Sequence, residues 1–196
     1  MKERFETDRL ILRRFGEGDI MALHALLSDA EVNRFLPWFP SESPEETRRF
    51  YEERFRDSEF AFAVCLKSDG IPIGYIKADT DEARDFGYAL RKEFWGRGIM
   101  TEAAKTLVGV LRDAGFPYIT ATHDVNNPAS GGVMRNIGMR YRYTYKEQWQ
   151  PKDIPVFFRM YQLNFDGSDF VYRKYWDMYD EKFVDEKFAD EKFADE

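Results

Sequence analysis

The stretch that most restricts the fold lies between residues 85 and 122. An alternating segment, residues 85–91, leads through Gly96-Arg97-Gly98 straight into a helical stripe of Ala104, Leu107, Val108 and Leu111. Gly115 and Pro117 end that helix, and residues 118–122 read as the next strand. A strand, a glycine turn, a helix and a strand in this order form a crossover unit, which requires a sheet with helices on its faces. The turn also carries chemistry. First-turn N–H groups of a helix lack carbonyl partners and sit at the positive end of its dipole, and glycines let that backbone converge on phosphate oxygens. Arg97 adds a cation at the same place. The plainer alternative is a tight turn whose glycines provide clearance. Neither Gly-x-x-x-x-Gly-Lys-Ser/Thr nor Gly-x-Gly-x-x-Gly occurs, so a pyrophosphate ligand outside the nucleoside-triphosphate and dinucleotide classes fits best.

The flanking sequence extends the α/β pattern. Residues 9–15 alternate as a strand, and Ile20, Leu23, Leu26 and Leu27 recur at helical spacing. A proline-flanked aromatic loop, residues 35–40, precedes a charged helix over 45–56 that Pro44 opens. Strands over 60–66 and 71–77 are joined by Asp69-Gly70, a hairpin turn pair. A short helix over 129–137 and strands over 140–146 and 156–164 complete a body spanning residues 1–165. Residues 166–183 are expected to form an aromatic helical segment, in which Tyr172, Tyr175, Trp176, Tyr179 and Phe183, spaced 3, 1, 3 and 4 apart, make a stripe. Residues 184–196 form an acidic Asp-Glu-Lys-Phe repeat. Its five-residue period spreads Phe183, Phe188 and Phe193 over different faces of either regular element, so it is expected to be a solvated, mobile extension.

Composition narrows the function. Of the net charge of −7, the segment 166–196 carries −6 (11 acidic, 5 basic), leaving −1 on the body. With no basic stripe, nucleic acid is a poor partner. One cysteine, Cys65, and two histidines provide neither a disulfide framework nor a metal-ligand cluster, so no metal is expected. No long apolar run is present, and the chain is expected to be cytoplasmic, without a membrane partner.

The run Trp95-Gly96-Arg97-Gly98-Ile99-Met100-Thr101-Glu102-Ala103 resembles the acyl-CoA-binding motif of the GNAT superfamily of N-acetyltransferases. It is most similar to the branch containing the ribosomal-protein N-terminal acetyltransferases RimJ and RimL. The general pattern Gln/Arg-x-x-Gly-x-Gly/Ala falls on Trp95, Gly98 and Met100, with only Gly98 matching; the aromatic-Gly-basic-Gly start and the Thr-Glu-Ala end carry the likeness to the branch. Residues 6–13, 85–90 and 127–141 resemble its other landmarks in order, so the likeness covers roughly residues 6–165. It implies a GNAT fold, a mixed and mostly antiparallel sheet of about seven strands splayed at its centre, with helices on both faces.

The resemblance further implies that acetyl-CoA is the co-substrate, its pantetheine along Ala89, Leu90 and Arg91 and its pyrophosphate at Gly96, Arg97, Gly98, Ile99, Met100 and Thr101. Asn127 would hold the pantetheine arm, or simply cap the chain before Pro128. An amine attacking the thioester must lose a proton, and the leaving thiolate must be stabilised. By the same resemblance Ser130 is the candidate for the thiolate, against a plain helix-start role. Asp85 is the candidate base, with His123 as the competing base or water relay. Tyr141 is a further proton-donor candidate. Trp38, Tyr88 and Trp149 are candidates for the acceptor side, where rings flank an amine. The implied reaction is acetyl transfer to a primary amine, a protein N-terminus or a small molecule. The alternatives are a non-catalytic acyl-CoA-binding module of the same fold and an adaptor acting through its tail. Late aromatic strands of such domains can pair between subunits, so a homodimer is a possible assembly.

Overall fold

Among residues 4–189, which the computed structural model describes, nine strands form two sheets that meet at one seam. Strands β1 (Arg4–Glu6), β2 (Leu10–Arg13), β3 (Ala61–Leu66), β4 (Pro72–Ala78) and β5 (Phe86–Leu90) lie antiparallel in chain order. Strands β6 (Tyr118–Asp124), β7 (Arg140–Trp149), β8 (Ile154–Asn164) and β9 (Lys182–Phe183) form the second sheet in the order β6-β8-β7-β9. A parallel bridge between Asp85 and Thr120 joins β5 to β6, supported by the Thr120 N–H donating to the Arg84 carbonyl at 3.2 Å. Past that bridge the strands part, which is the expected splay. The following strand–helix–strand stretch, residues 118–146, does not join neighbouring strands, because β8 inserts between β6 and β7.

Three helices, α1 (Ile20–Leu27), α2 (Ala30–Asn33) and α3 (Pro44–Arg54), cover one face of the first sheet. Ser43 accepts the Glu46 N–H at 3.2 Å and Pro44 fills the first turn, so α3 starts where its sequence directs. On the other face lie α4 (Ile99–Asp113) and α5 (Pro128–Asn136). The α4 stripe of Ala103, Ala104, Leu107 and Leu111 is fully buried against Leu10, Leu12, Val64 and Ile76, the largest core. At ~1.5–3 kcal/mol per large apolar side chain, this burial fixes the helix on the sheet.

The C-terminal segment wraps the β7 edge. Only α6 (Lys174–Met178) of the aromatic segment is helical. Tyr175 and Tyr179 stack on Tyr145 at 5.2 and 5.0 Å, and Trp176 meets Tyr143 edge-on. The chain then pairs β9 with Thr144 and Tyr145, crossing to the opposite face. There a last short helix, α7 (Glu186–Ala189), packs Phe188 against Tyr141, with the Arg159 guanidinium 4.0 Å from the Phe188 ring centre. Phe188 is therefore held on the sheet, contrary to the solvated extension expected from the repeat. The pentad period fails to gather the phenylalanines on one face, but a chain wrapping an edge can use both faces. The rest of the repeat lies outside the described residues.

Candidate functional site

The mouth of the splay is formed by the turn between β5 and α4. Gly96 and Gly98 both adopt left-handed backbone (φ +71° and +70°), and Gly98 is the N-cap of α4. A side chain at either position would strain that geometry. The turn is fastened by residues from β1–β2. Arg9 donates to the Glu102 carboxylate at 2.6 Å and to the Arg97 carbonyl at 3.0 Å, while the Thr7 hydroxyl donates to Glu102 at 2.5 Å. These contacts hold the Glu102 carboxyl below the usual carboxylate range despite partial burial. The Arg97 side chain is left without an acidic partner among the described residues, its guanidinium over Phe94. The sequence reading missed Arg9 and Glu102 as parts of this site.

Inside the splay, the phase of β5 matters. The Arg91 N–H donates to the Ile73 carbonyl at 2.9 Å and the Asp79 N–H to the Asp85 carbonyl at 3.0 Å. Odd residues of β5 are thus bonded to β4, and the even ones, Tyr88 and Leu90, turn their backbone groups to the gap. Ala89 and Arg91, expected to line it with their backbone, belong to the β4 ladder instead. The Leu90 carbonyl accepts from the Trp95 indole at 2.7 Å, leaving its N–H aimed at the gap.

Across the gap stands α5. Asn127 is its N-cap, accepting the Ser130 N–H at 3.4 Å, so the plainer role read from the sequence is present. The Tyr88 hydroxyl reaches over to Ser130, 2.8 Å from its carbonyl and 3.0 Å from its hydroxyl. Tyr88 therefore joins Ser130 on the α5 side rather than standing alone toward an acceptor.

Asp85 lies at the seam on the opposite face, half-buried, with its carboxyl pushed up to about 6. Burial is the main cause. The Asp79 and Asp81 charges add to it, and the Lys77 ammonium opposes it while bound to Asp79 at 2.6 Å. A second carboxylate on this face, Glu147, is also raised by burial, with the Tyr179 hydroxyl beside it acting in the opposite sense. Its partner comes from beyond residue 165, which explains why the motif reading passed over it.

His123 is not placed as a base. It is buried under α5, where a Cβ on Gly131 would lie 2.6 Å from its Nε2, and burial lowers it to about 4. Its Nδ1 lies 2.8 Å from the Asp124 carbonyl. A ring so enclosed stays neutral near pH 7 and has no open path for a proton. Tyr141 is likewise occupied, 2.7 Å from the Thr144 hydroxyl and accepting the Asp185 N–H at 3.0 Å. Cys65 is a buried thiol that burial raises to about 11, which leaves it protonated and unreactive near pH 7.

The two tryptophans fall in separate clusters. Trp38 packs on Phe50 beside a cavity of about 360 Å³ that Phe39, Glu42 and Glu46 help to line, with Arg54 over its ring. Trp149 packs on Phe158 and carries the Lys152 ammonium 4.9 Å from its ring centre. Each ring already holds a cation of the chain. Lys152 also donates to the Asn33 and Arg34 carbonyls at 2.5 and 3.1 Å, drawing the β7–β8 turn against α2.

Among the described residues no group of side chains fits a metal ion, and no helix is long and apolar enough to cross a membrane. The model of the family described as acetyltransferase (GNAT) domain matches residues 9–140. The chain is 26 % identical over 145 residues to an uncharacterized N-acetyltransferase, YnaD, of Bacillus subtilis, covering 72 % of this chain and 85 % of that one. Its fold is similar to a GNAT-family acetyltransferase from Bacillus anthracis, with TM-score 0.75, 24 % identity and coverage of 83 % and 99 %. It is also similar to RimL, a ribosomal L7/L12 alpha-N-protein acetyltransferase solved with coenzyme A, with TM-score 0.70, 22 % identity and coverage of 85 % and 100 %.

Proposed function

The chain belongs to the GNAT acetyltransferase family, and from that premise we propose that it transfers the acetyl group of acetyl-CoA to a primary amine by direct attack on the thioester. The family implies an acetyltransferase that uses acetyl-CoA; the amine acceptor and the residue roles are our reading. The observation that carries it is the parting of β5 from β6 below the Asp85–Thr120 bridge, with the α4 N-terminus at the mouth.

In this reading the pyrophosphate sits on the N–H groups that open α4, with Arg97 beside it, and the pantetheine runs along the free edge at Tyr88 and Leu90. The Leu90 N–H steadies the oxygen that becomes negative when the amine nitrogen bonds the carbonyl carbon. Asp85 takes the proton that the amine nitrogen must lose. As the carbon–sulfur bond breaks, the Ser130 hydroxyl, held in place by Tyr88, supplies a hydrogen bond to the departing thiolate, which takes its proton from solvent. A carboxyl near 6 is ionised at pH 7.5 yet basic enough to accept that proton.

The acceptor approaches from the face of Asp85 and Glu147, which the rings of Tyr145, Tyr175 and Tyr179 border. The similarity to RimL favours including peptide N-termini beside small amines in the search. Release of free CoA is followed with a thiol reagent while peptides with free N-termini, polyamines and amino sugars are offered in turn. Amine-dependent release that falls at least ~10²-fold in Ser130→Ala or Asp85→Asn supports the reading. Tight CoA binding with no amine-dependent release across the panel would favour a non-catalytic acyl-CoA-binding module.

A further inference from the structure

At the start of β7, away from the splay, a cavity of about 290 Å³ opens between the sheet and the loop that follows β8. Arg140 and Arg142 both line it, together with Gln162, Asn164, Ser168 and Asp169. Arg142 occupies the extra position where the β7–β8 register shifts between Tyr141 and Tyr143. Such a bulge re-aims a side chain that the ladder would otherwise place. The Arg142 Nε is buried and has no hydrogen-bond partner, and neither guanidinium makes an ion pair among the described residues. The charge of Arg140 opposes that of Arg142, while Asp169 favours it without touching it.

The wall behind these arginines is built and fixed. Asn164 donates to the Ser168 and Phe170 carbonyls at 2.6 and 2.9 Å, and Gln162 donates to the Phe170 carbonyl at 2.8 Å. Both amides are therefore spent on shaping the loop, and the guanidiniums supply the free donors. A half-buried cation with an orphaned N–H beside a second cation is an expensive arrangement by itself. An oxyanion relieves it by accepting from both forks, the geometry at which arginine excels.

We infer that this cavity is a binding site for a small oxyanion, a phosphate or carboxylate group held between Arg142 and Arg140. The volume suits a small organic phosphate or a di- or tricarboxylate and is too small for a dinucleotide. With two guanidiniums against one carboxylate the net charge is +1, so an anion is drawn in and a cation is not. The site is separate from the α4 cradle and does not rest on the acetyl-transfer reading.

Inorganic phosphate and citrate are the probes, added at constant ionic strength to the full chain. The local readout is the Arg142 side-chain Nε–H resonance, assigned by its loss in Arg142→Gln. A saturable shift of that resonance, with an affinity at least 10-fold weaker in Arg140→Gln, is expected. Phosphate also meets the helix N-terminus at Gly98, so Arg97→Ala is titrated in parallel and should leave the Arg142 response intact. An unmoved Nε–H resonance, or a response lost in Arg97→Ala and retained in Arg140→Gln, overturns the assignment. Repeating the titration on a chain ended at Ala189 separates two sources of the oxyanion. A tighter citrate response there identifies the acidic C-terminus as a competing occupant, and an equal response identifies a free anion.

Discussion

If Asp85 receives the amine proton, its titration should be adjustable from the neighbouring strand. Lys77 offers the handle. The Lys77 Cε and the Asp85 Oδ2 both lie within 4 Å of the same point, the position a Cβ would take on Gly87. The charge sits on Nζ, one bond beyond Cε, so the two charges are about 9 Å apart at most. At that separation a unit charge is worth ~0.5 kcal/mol in water and ~1.8 kcal/mol at an effective dielectric of 20. Lys77→Gln removes a charge that holds the carboxyl down, so the Asp85 midpoint should rise from about 6 by roughly 0.3 to 1.4 pH units. The freed Asp79 charge acts in the same sense. The activity that depends on ionised Asp85 grows as pH rises through that midpoint, so the acid limb of kcat/KM should move to higher pH by the same amount. Two assays check it: carbon-13 titration of the Asp85 carboxyl, which needs no acceptor, and the pH–rate profile with any amine that turns over. An unmoved carboxyl in Lys77→Gln refutes the electrostatic account. A carboxyl that moves while the acid limb stays fixed refutes Asp85 as the base.

Other outcomes follow from the same geometry. Gly98→Val and Arg9→Leu should each weaken CoA in calorimetric titration by ~1–2 kcal/mol, one by straining the left-handed cap and the other by loosening Glu102. Tyr88→Phe should lower kcat with little change in the KM for acetyl-CoA, because it frees the Ser130 hydroxyl without touching the cradle. His123 stays neutral in the fold down to about 4 but takes its proton near 6.5 when unfolded. Stability should therefore fall by ~3 kcal/mol as pH drops from 6.5 to 4, and chemical denaturation of His123→Gln should lack that slope. Ending the chain at Val184 removes the Phe188 contact and should lower Tm by ~2–4 °C, whereas ending it at Asp169 strips the Tyr143–Tyr145 face and should cost at least twice that.

What could be read beforehand was local. Gly96-Arg97-Gly98 and the stripe that follows lie within a few residues of one another, so spacing alone located the turn and the start of α4. Asn127-Pro128 is likewise a cap written in adjacent residues. The missed contacts span long separations. Arg9 meets Glu102 across 93 residues, and no local rule pairs them. Lys152 reaches α2 across 119 residues, and on the way it fills the face of Trp149 that an incoming amine had been expected to use. His123 looked like a base because histidine titrates near neutral pH. Only the packing of Gly131 over the ring shows that this histidine is sealed.

On the proposed reading, the pleat of β5 lets so short a strand serve both reactants. Its even side chains, Phe86 and Leu90, enter the core under α4, and Tyr88 reaches Ser130 on the same side. Its odd positions turn the other way: Ala89 packs with the α1–α3 cluster, and Asp85 faces the aromatic wrap. Backbone bonding alternates with the same period of two, so the even residues also present N–H and C=O groups to the gap. On the proposed reading the thioester is gripped by even positions and the amine served by odd ones. A one-residue slip of β5 would exchange the two sets. The Asp85–Thr120 bridge is the β5–β6 pairing among the described residues, and it opposes that slip at the point where the strands part.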